Sequence, residues 1–205
     1  MLINRHERGA VRIGLPDLGI APDPWRSDLN RCDPIVAPNS LPVEFMTDLS
    51  IRKRFGVIDD DQQRAMSGLE YVQGLVDGTV PLNTMAQTLG YDVVEVSKGR
   101  AVAAAEPHAG HLNPAGTVHG GLAATLLDTC MGLAIRSMLD KGFAQTTLEF
   151  KISLVRPITP QTGRVKAEGK VITCGRRVGT AGGTLTDKDG RVLAHGTTTC
   201  LIFEQ

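Results

Sequence analysis

The feature that most constrains the fold is a nearly unbroken apolar run over residues 118–139. It contains no proline, and its length and composition predict one long helix. A helix that is apolar on every side is expected to be buried on every side. Asp128 and Arg136 interrupt the run between Leu122 and Leu139, so it is not expected to be a membrane span. The chain must therefore supply other elements that enclose this helix.

The elements that enclose the helix are predicted to be β-strands. Alternating polar and apolar residues predict six strands, over residues 89–96, 100–106, 145–156, 163–174, 178–187 and 191–203. Hairpin turns are predicted at Lys98-Gly99 and Asp189-Gly190. Ahead of them, Asp59 and the acids after it open a predicted helix that runs to about Val76 and stops at Gly78. The fold class predicted is α+β, with an antiparallel sheet wrapped around the central helix.

The start of the chain has a different composition. More than half of the 11 prolines lie in residues 1–45, where apolar periodicity is weak. We predict a Pro-rich, partly disordered extension over residues 1–58 and a single folded domain over residues 59–205. The basic triplet Arg52-Lys53-Arg54 is expected to be a solvated face.

Charge and cysteine content narrow the function classes. Lys plus Arg and Asp plus Glu both number 22, so no net charge attracts nucleic acid or an anionic membrane. We predict neither as a partner. The four cysteines have no C-x-x-C spacing and are interpreted as buried free thiols, which suits a cytoplasmic protein.

The candidate chemistry lies at the start of the long helix. His119-Gly120-Gly121 opens it, and the first N–H groups of a helix have no partner within the helix. Glycine lets a carbonyl group approach these donors closely, so an oxyanion could be stabilised there. The alternative is that the glycines only permit a tight turn and close packing. Asp128 lies among apolar residues without a cation three or four positions away, and it is the candidate base or nucleophile. Its structural alternatives are a carboxylate that points outward at a helix edge and one that accepts a bond from Thr125 or Thr129.

Spacing adds a prediction about assembly. Gly120 and Asp128 are eight residues apart, which is about 12 Å along a helix. One reacting group cannot contact both on the same helix. If they act together, they come from two copies of the chain, so we predict a two-fold dimer with two composite sites.

Neighbouring polar residues have open roles. Asn113 either bonds the substrate or attacking water, or it caps its own loop. His108, His111 and His119 lack a complete set of zinc ligands at standard spacing, so no metal site is predicted. His119 is expected to hold the turn by a bond from its side chain to the backbone. Arg156, Arg176 and Arg177 either bind a phosphate-bearing ligand or are exposed turn charges.

Several ordered motifs resemble one known family. They are Asn113-Pro-x-Gly-x-x-His-Gly-Gly121, Ala124-Thr-Leu-Leu-Asp128, Thr147-Leu-Glu-Phe150 leading to Arg156-Pro157, and Asp189-Gly-Arg-Val-Leu-Ala-His-Gly196. Together they are similar to the PaaI-type (phenylacetic-acid-degradation) hotdog-fold thioesterases over about residues 60–205. The resemblance implies a hotdog fold, a homodimer often paired into a homotetramer, and hydrolysis of acyl-CoA thioesters. It implies no cofactor beyond the coenzyme A of the substrate.

The resemblance also implies residue roles. By position, Asp128 matches the family's catalytic carboxylate, Gly120 the N–H that polarises the thioester carbonyl, and Asn113 the active-site amide. His119 belongs to the same motif. Thr147, or Thr146 beside it, matches a hydroxyl that orients water near the partner's carboxylate. Coenzyme A contacts are expected from Gly121, Arg156, Arg176 and Arg177.

Two other functions share these features. One is a non-catalytic hotdog module that binds an acyl-CoA as a signal, but such a module is expected to lack the carboxylate. The other is a hotdog dehydratase or hydratase, for which the Gly-Asp expected before Asn113-Pro114 is absent. An aromatic or short- to medium-chain acyl-CoA is the expected substrate.

Overall fold

The computed structural model of the protein describes residues 53–205. Within them lie four α-helices, namely α1 (Asp60–Ala65), α2 (Gly68–Asp77), α3 (Thr84–Leu89) and α4 (Gly120–Arg136). The strands are β1 (Tyr91–Ser97), β2 (Arg100–Ala105), β3 (Phe143–Leu154), β4 (Val165–Cys174), β5 (Val178–Thr186) and β6 (Val192–Glu204). They form one antiparallel sheet in the order β1-β2-β4-β5-β6-β3. The predicted α+β architecture, a sheet around a central helix, is confirmed.

Helix α4 presents one face to the sheet and leaves another uncovered. Its sheet-facing side chains are fully buried and form the centre of the core, namely Leu122, Ala123, Leu126, Leu127, Cys130, Met131, Ala134 and Ile135. The opposite stripe is only half-buried and consists of Gly121, Ala124, Thr125, Asp128 and Thr129. We call this stripe the open face of α4. The prediction of burial on every side is therefore wrong for the single chain.

Close contact between sheet and helix depends on glycine. A Cβ at Gly169 in β4 would lie 2.3 Å from the Cys130 carbonyl oxygen, which belongs to the helix backbone. A Cβ at Gly183 in β5 would lie 2.8 Å from the Met131 side chain. These strands can touch the helix because they carry no side chain there.

The predicted helix from Asp59 to Val76 is two helices. Ser67 and Glu70 form a reciprocal capping box, in which the Glu70 side chain accepts the Ser67 N–H and the Ser67 hydroxyl accepts the Glu70 N–H. This cap starts α2 and separates it from α1. Gly78 ends α2 in a left-handed conformation, as predicted. No helix within residues 53–205 is long and apolar enough to cross a membrane.

Arg136, the second charge in the apolar run, is 3% exposed. Its guanidinium donates to the Phe143 carbonyl and lies 5.0 Å from the centre of the Tyr71 ring. The Nε and Nη2 atoms have no hydrogen-bond partner within the described residues. Burial lowers the pKa of Arg136. This side chain therefore carries a desolvation penalty that the ring beneath it only partly offsets.

Three cysteines fall within the described residues and all three are free thiols. Cys130 and Cys200 are buried and Cys174 is half-buried. Burial raises the pKa of Cys130 to about 12, so this thiol is an inert core residue. Cys32 lies outside the described residues, as does most of the predicted Pro-rich extension over residues 1–58.

We predict that Gly169→Ala destabilises the domain by about 2 kcal/mol or more, because the added methyl group would press into the α4 backbone. The midpoint of thermal unfolding should fall by roughly 4–8 °C. Calorimetry of the two proteins measures this shift. Gly182→Ala on β5 is the matched control, since its Cβ would find no atom closer than 3.6 Å. Equal midpoints for both variants would contradict the packing argument.

Candidate active site

At the start of α4, one glycine N–H is hydrogen-bonded and the other is free within the part of the chain that the structure describes. His119 is the N-cap, and its Nδ1 accepts the Gly121 N–H at 2.9 Å. The expected bond from the His119 side chain to the backbone is thus present. No acceptor within residues 53–205 takes the Gly120 N–H. Of the two glycine amides, only that of Gly120 is available to a ligand, so Gly121 has no free N–H for coenzyme A.

Gly120 is also in close contact with β3. A Cβ at this position would lie 2.7 Å from Leu154 Cδ1 at the end of β3. Leu154 is 55% exposed, so its flexible tip has room to move away from a small added side chain. The open amide and the close contact therefore coexist at one residue.

Asp128 lies on the open face of α4, and its carboxylate is fixed by β3. The Thr147 hydroxyl donates to Asp128 Oδ1 at 3.0 Å. Thr147 directly precedes a β-bulge, where Leu148 is the extra residue and the register to β6 shifts. Bulges re-aim side chains beside functional sites. The resemblance implied that this hydroxyl faces the partner's carboxylate, whereas here it holds the carboxylate of its own chain.

Of the two structural alternatives for Asp128, the bond from Thr125 or Thr129 is absent, while the half-buried carboxylate does lie on the outward, open face of α4. The Thr125 hydroxyl donates to the Gly121 carbonyl at 3.0 Å. The Thr129 hydroxyl lies 3.4 Å from the Tyr91 hydroxyl. Neither threonine bonds the carboxylate, and within residues 53–205 the Oδ2 atom accepts no hydrogen bond.

Two depressions meet at Asp128. The larger, of about 390 Å³, reaches from Asp128 and Thr147 toward α2 and residues 56–58. The smaller, of about 290 Å³, follows α4 toward its N-terminus and is bounded by Phe150. Asn83 lines both. Sequence reasoning did not single out residues 56–58 or Asn83, because neither carries a chemical motif.

Asn113 caps its own loop. Its Oδ1 accepts the N–H groups of Ala115 at 2.9 Å and Thr117 at 3.3 Å, and its Nδ2 donates to the Thr117 hydroxyl at 2.8 Å. The capping alternative is therefore present in the structure. One N–H of the amide is left for any contact with substrate.

The two histidines upstream form a turn. His111 Nδ1 accepts the His108 N–H at 3.2 Å, and its Nε2 lies 3.1 Å from the Leu89 carbonyl. The rings lie 3.8 Å apart. Burial, and then the neighbouring His108, lower the pKa of His111. No group of three or more His, Cys, Asp or Glu suited to a metal occurs in the described part of the chain.

The three arginines proposed for coenzyme A lie at different ends of the molecule. Arg156 is exposed, donates to the Val192 carbonyl and follows Leu154, beside Gly120. Arg176 and Arg177 are exposed in the turn between β4 and β5. That turn leads to Gly179, which abuts Ile135 near the far end of α4. Within one chain, only Arg156 is near Gly120.

Comparisons with known proteins show the family to which the chain belongs. A model of the thioesterase superfamily matches residues 115–194, which include Gly120, Asp128 and Thr147. A Halobacterium salinarum protein, provisionally named an esterase, is 35% identical over 112 residues, which is 52% of this chain and 72% of that protein. This chain belongs to the thioesterase superfamily. The predicted enzyme class, a thioester hydrolase, is confirmed at this level.

Solved structures support the fold of this thioesterase. A phenylacetic acid degradation-related protein from Ralstonia eutropha superimposes with a TM-score of 0.58 at 28% identity, covering 64% of this chain and 98% of that one. The Escherichia coli PaaI protein superimposes with a TM-score of 0.54 at 24% identity, covering 58% of this chain and 84% of that one. The predicted hotdog fold and the PaaI-type resemblance are confirmed.

We predict that stability falls on mild acidification because of His111. Its folded-state pKa lies below the unfolded value of about 6.5, so the unfolded chain binds the proton more readily. This contribution is therefore full above about pH 6.5 and is lost as the pH falls through the folded-state pKa. His111→Gln should flatten that part of the profile. Urea unfolding between about pH 5 and pH 7.5 measures it. The exposed His195→Gln should keep the wild-type slope, and equal slopes in all three proteins would refute the assignment.

Proposed function

We propose that this thioesterase hydrolyses acyl-CoA thioesters to a free acid and coenzyme A, with Asp128 as the general base or nucleophile. The observation that carries the proposal is the Asp128 carboxylate itself. One of its oxygens is held by Thr147, while the carboxylate opens onto a cavity large enough for an acyl group. An oriented carboxylate with a free oxygen is suited to take a proton from water or to attack a carbonyl carbon.

The Gly120 N–H is the proposed oxyanion donor, and it acts on a thioester bound to a second copy of the chain. The two groups are about 12 Å apart along α4, so the same chain cannot supply both. Two features support a two-fold dimer. Strand β3 is an edge of the sheet, and its Leu148 and Phe150 are 58% and 42% exposed. The open face of α4 lies directly beside this edge, and a second copy would cover both.

In the proposed reaction, Asp128 accepts a proton from a water molecule while the oxygen of that water attacks the thioester carbon. The carbonyl oxygen becomes an oxyanion and receives the Gly120 N–H of the other copy. The C–S bond then breaks, the acid is released, and the coenzyme A thiolate takes the proton from Asp128, which returns to its carboxylate form. If Asp128 attacks directly, a mixed anhydride forms first and water hydrolyses it in a second step.

Coenzyme A is proposed to bind through exposed arginines that lie at both ends of the molecule. Arg156 lies on the same end of the chain as Gly120 and is exposed for contact with phosphate. Arg176 and Arg177 lie at the other end, so they would serve a site that a second, antiparallel copy completes. Gly121 would contribute only its lack of a side chain. His119 fixes the helix start, and Asn113 shapes the loop in front of it.

The larger cavity limits the acyl group. A cavity of about 150 Å³ is sufficient for benzene. The 390 Å³ beside Asp128 therefore suits a phenylalkanoyl group or a medium aliphatic chain. We propose these acyl-CoAs, rather than long-chain ones, as substrates.

We expect Asp128→Asn to lower kcat by at least about a hundredfold, because the amide neither accepts the proton nor attacks the carbonyl. The shape of the side chain is kept, so the far-ultraviolet circular dichroism and the unfolding midpoint should stay close to wild type. Release of free thiol from a panel of acyl-CoAs measures the effect. Asp140→Asn, which alters an exposed acid beyond α4, is the control. Near-normal turnover of Asp128→Asn would remove the proposed mechanism.

Mixing two inactive variants tests the composite site. Gly120→Pro removes the N–H at the first position of a helix, where proline is tolerated. His119 has φ −60° and ψ 134°, which suits a residue before proline. Gly120→Ala keeps the N–H and is the control for added bulk against Leu154. Loss of one oxyanion donor is expected to lower kcat by about 10²–10³.

Exchange between Gly120→Pro and Asp128→Asn subunits should restore about a quarter of wild-type activity, since half of the dimers are mixed and each has one intact site. Native mass spectrometry checks the exchange. Full exchange without any recovery would mean that one subunit supplies both groups.

A further inference from the structure

We propose that residues 53–58, which we call the strap, form a wall of the acyl pocket and determine which acyl chains the enzyme accepts. This inference rests on the proposed function. The strap does not carry a catalytic group. Its role follows from how firmly it is attached and from the cavity that it borders.

A buried ion pair fastens one end of the strap. Lys53 Nζ lies 2.5 Å from Asp92 Oδ1 and donates to the Val93 carbonyl at 2.8 Å. The side chains of Lys53 and Asp92 are 9% and 12% exposed. The expectation of a solvated basic triplet is thus wrong for Lys53. Removing a single partner of such a pair leaves an uncompensated buried charge, so the attachment is specific to this pairing.

Backbone bonds fasten the middle of the strap. The Leu82 N–H donates to the Arg54 carbonyl at 2.9 Å, and the Gly56 N–H donates to the Leu82 carbonyl at 2.8 Å. Phe55 thereby forms a parallel bridge with Leu82, which is itself in the core. The Arg54 guanidinium adds a bond to the Thr79 carbonyl at 3.1 Å. The strap is therefore a fixed part of the wall rather than a loose flap.

The strap borders the same cavity as the proposed catalytic carboxylate. Gly56, Val57 and Ile58 line the 390 Å³ cavity together with Asp128 and Thr147. Ile58 packs against the core, whereas Val57 is 92% exposed at the cavity mouth. An acyl chain whose thioester is at Asp128 would extend past these two apolar side chains and become shielded from water.

The strap lies outside the stretch of chain that carries the proposed catalytic groups. The matched superfamily region begins at residue 115 and contains Gly120, Asp128 and Thr147. The strap and the α2 residues opposite it, Tyr71 and Leu75, precede that region. Each methylene buried against such a wall favours the longer substrate by roughly fourfold. A substitution in the pocket wall therefore changes which acyl-chain lengths the enzyme prefers, without altering the proposed catalytic groups.

The test compares kcat/KM for hexanoyl-CoA with that for acetyl-CoA in the full-length protein. Ile58→Ala removes contact with the distal carbons, and we expect the hexanoyl-to-acetyl ratio to fall by about tenfold. Ile58→Phe, which fills the cavity, should lower the same ratio by excluding the chain. Ile172→Ala, an exposed residue on β4 away from the cavity, is the matched control.

The anchor is tested separately. Lys53→Met combined with Asp92→Leu removes both charges, so no unpaired charge is buried and the fold is expected to persist. Loosening the strap should again lower the hexanoyl-to-acetyl ratio. Calorimetric binding of hexanoyl-CoA and acetyl-CoA to the Asp128→Asn protein, with and without the strap substitutions, gives a readout independent of turnover.

The outcomes separate the two proposals. If the wild type hydrolyses acyl-CoAs but every strap variant keeps the ratio within about twofold of the control, the strap inference is overturned and the proposed function stands. If no acyl-CoA is hydrolysed, the proposed function fails. Chain-length-selective binding that Ile58→Ala weakens would then still support the strap as an acyl wall, and absent or unselective binding would overturn it.

Discussion

The structure depends on contact between the backbone of α4 and the inner face of the sheet. Side chains of α4 fill the space above β2 to β6, and glycines in β4 and β5 let the strands approach until they touch the helix itself. A helix held this closely cannot rotate about its axis, because rotation would drive Leu126 and Met131 out of the core. The same packing that stabilises the domain therefore fixes which residues face outward.

Asp128 is one of those outward residues, and its environment is set by strand geometry. The bulge after Thr147 changes the register of β3 against β6 at the level of the carboxylate. The hydroxyl that meets Asp128 is consequently supplied by an edge strand of the domain. A site that joins the central helix to a sheet edge has one side covered by its own chain, and its other side faces a neighbour or the solvent.

Much of this organisation could be predicted from the residues. Periodicity located all six strands to within a few residues, and the apolar run located α4. The split between α1 and α2 was missed although Ser67-x-x-Glu70 is a capping-box sequence, and α3 was missed although Asn83 and Gly90 flank it as caps. Those signals are local, and weak beside a strong hydrophobic pattern.

The site was predictable only in part. Motif and spacing predicted the candidate site residues and the turn at His119. They did not predict that Thr147 donates a hydrogen bond to Asp128 of the same chain, since Thr147 is 19 positions away and reaches the carboxylate beside a bulge. The burial of Lys53 was equally hidden, because it depends on Asp92 in an edge strand 39 residues later. Long-range pairs of this kind leave no pattern in a single sequence.

The strap precedes the proposed catalytic residues in the chain, and this order bears on how substrate selectivity can change. The proposed reactive groups lie downstream, in α4 and β3, whereas the strap and α2 supply the upstream part of the pocket wall. Under the proposed function, substitutions in the upstream stretch would reshape the pocket and leave the reactive groups unchanged. Chains that differ only upstream would in this way accept different acyl groups while sharing the helix that carries Asp128.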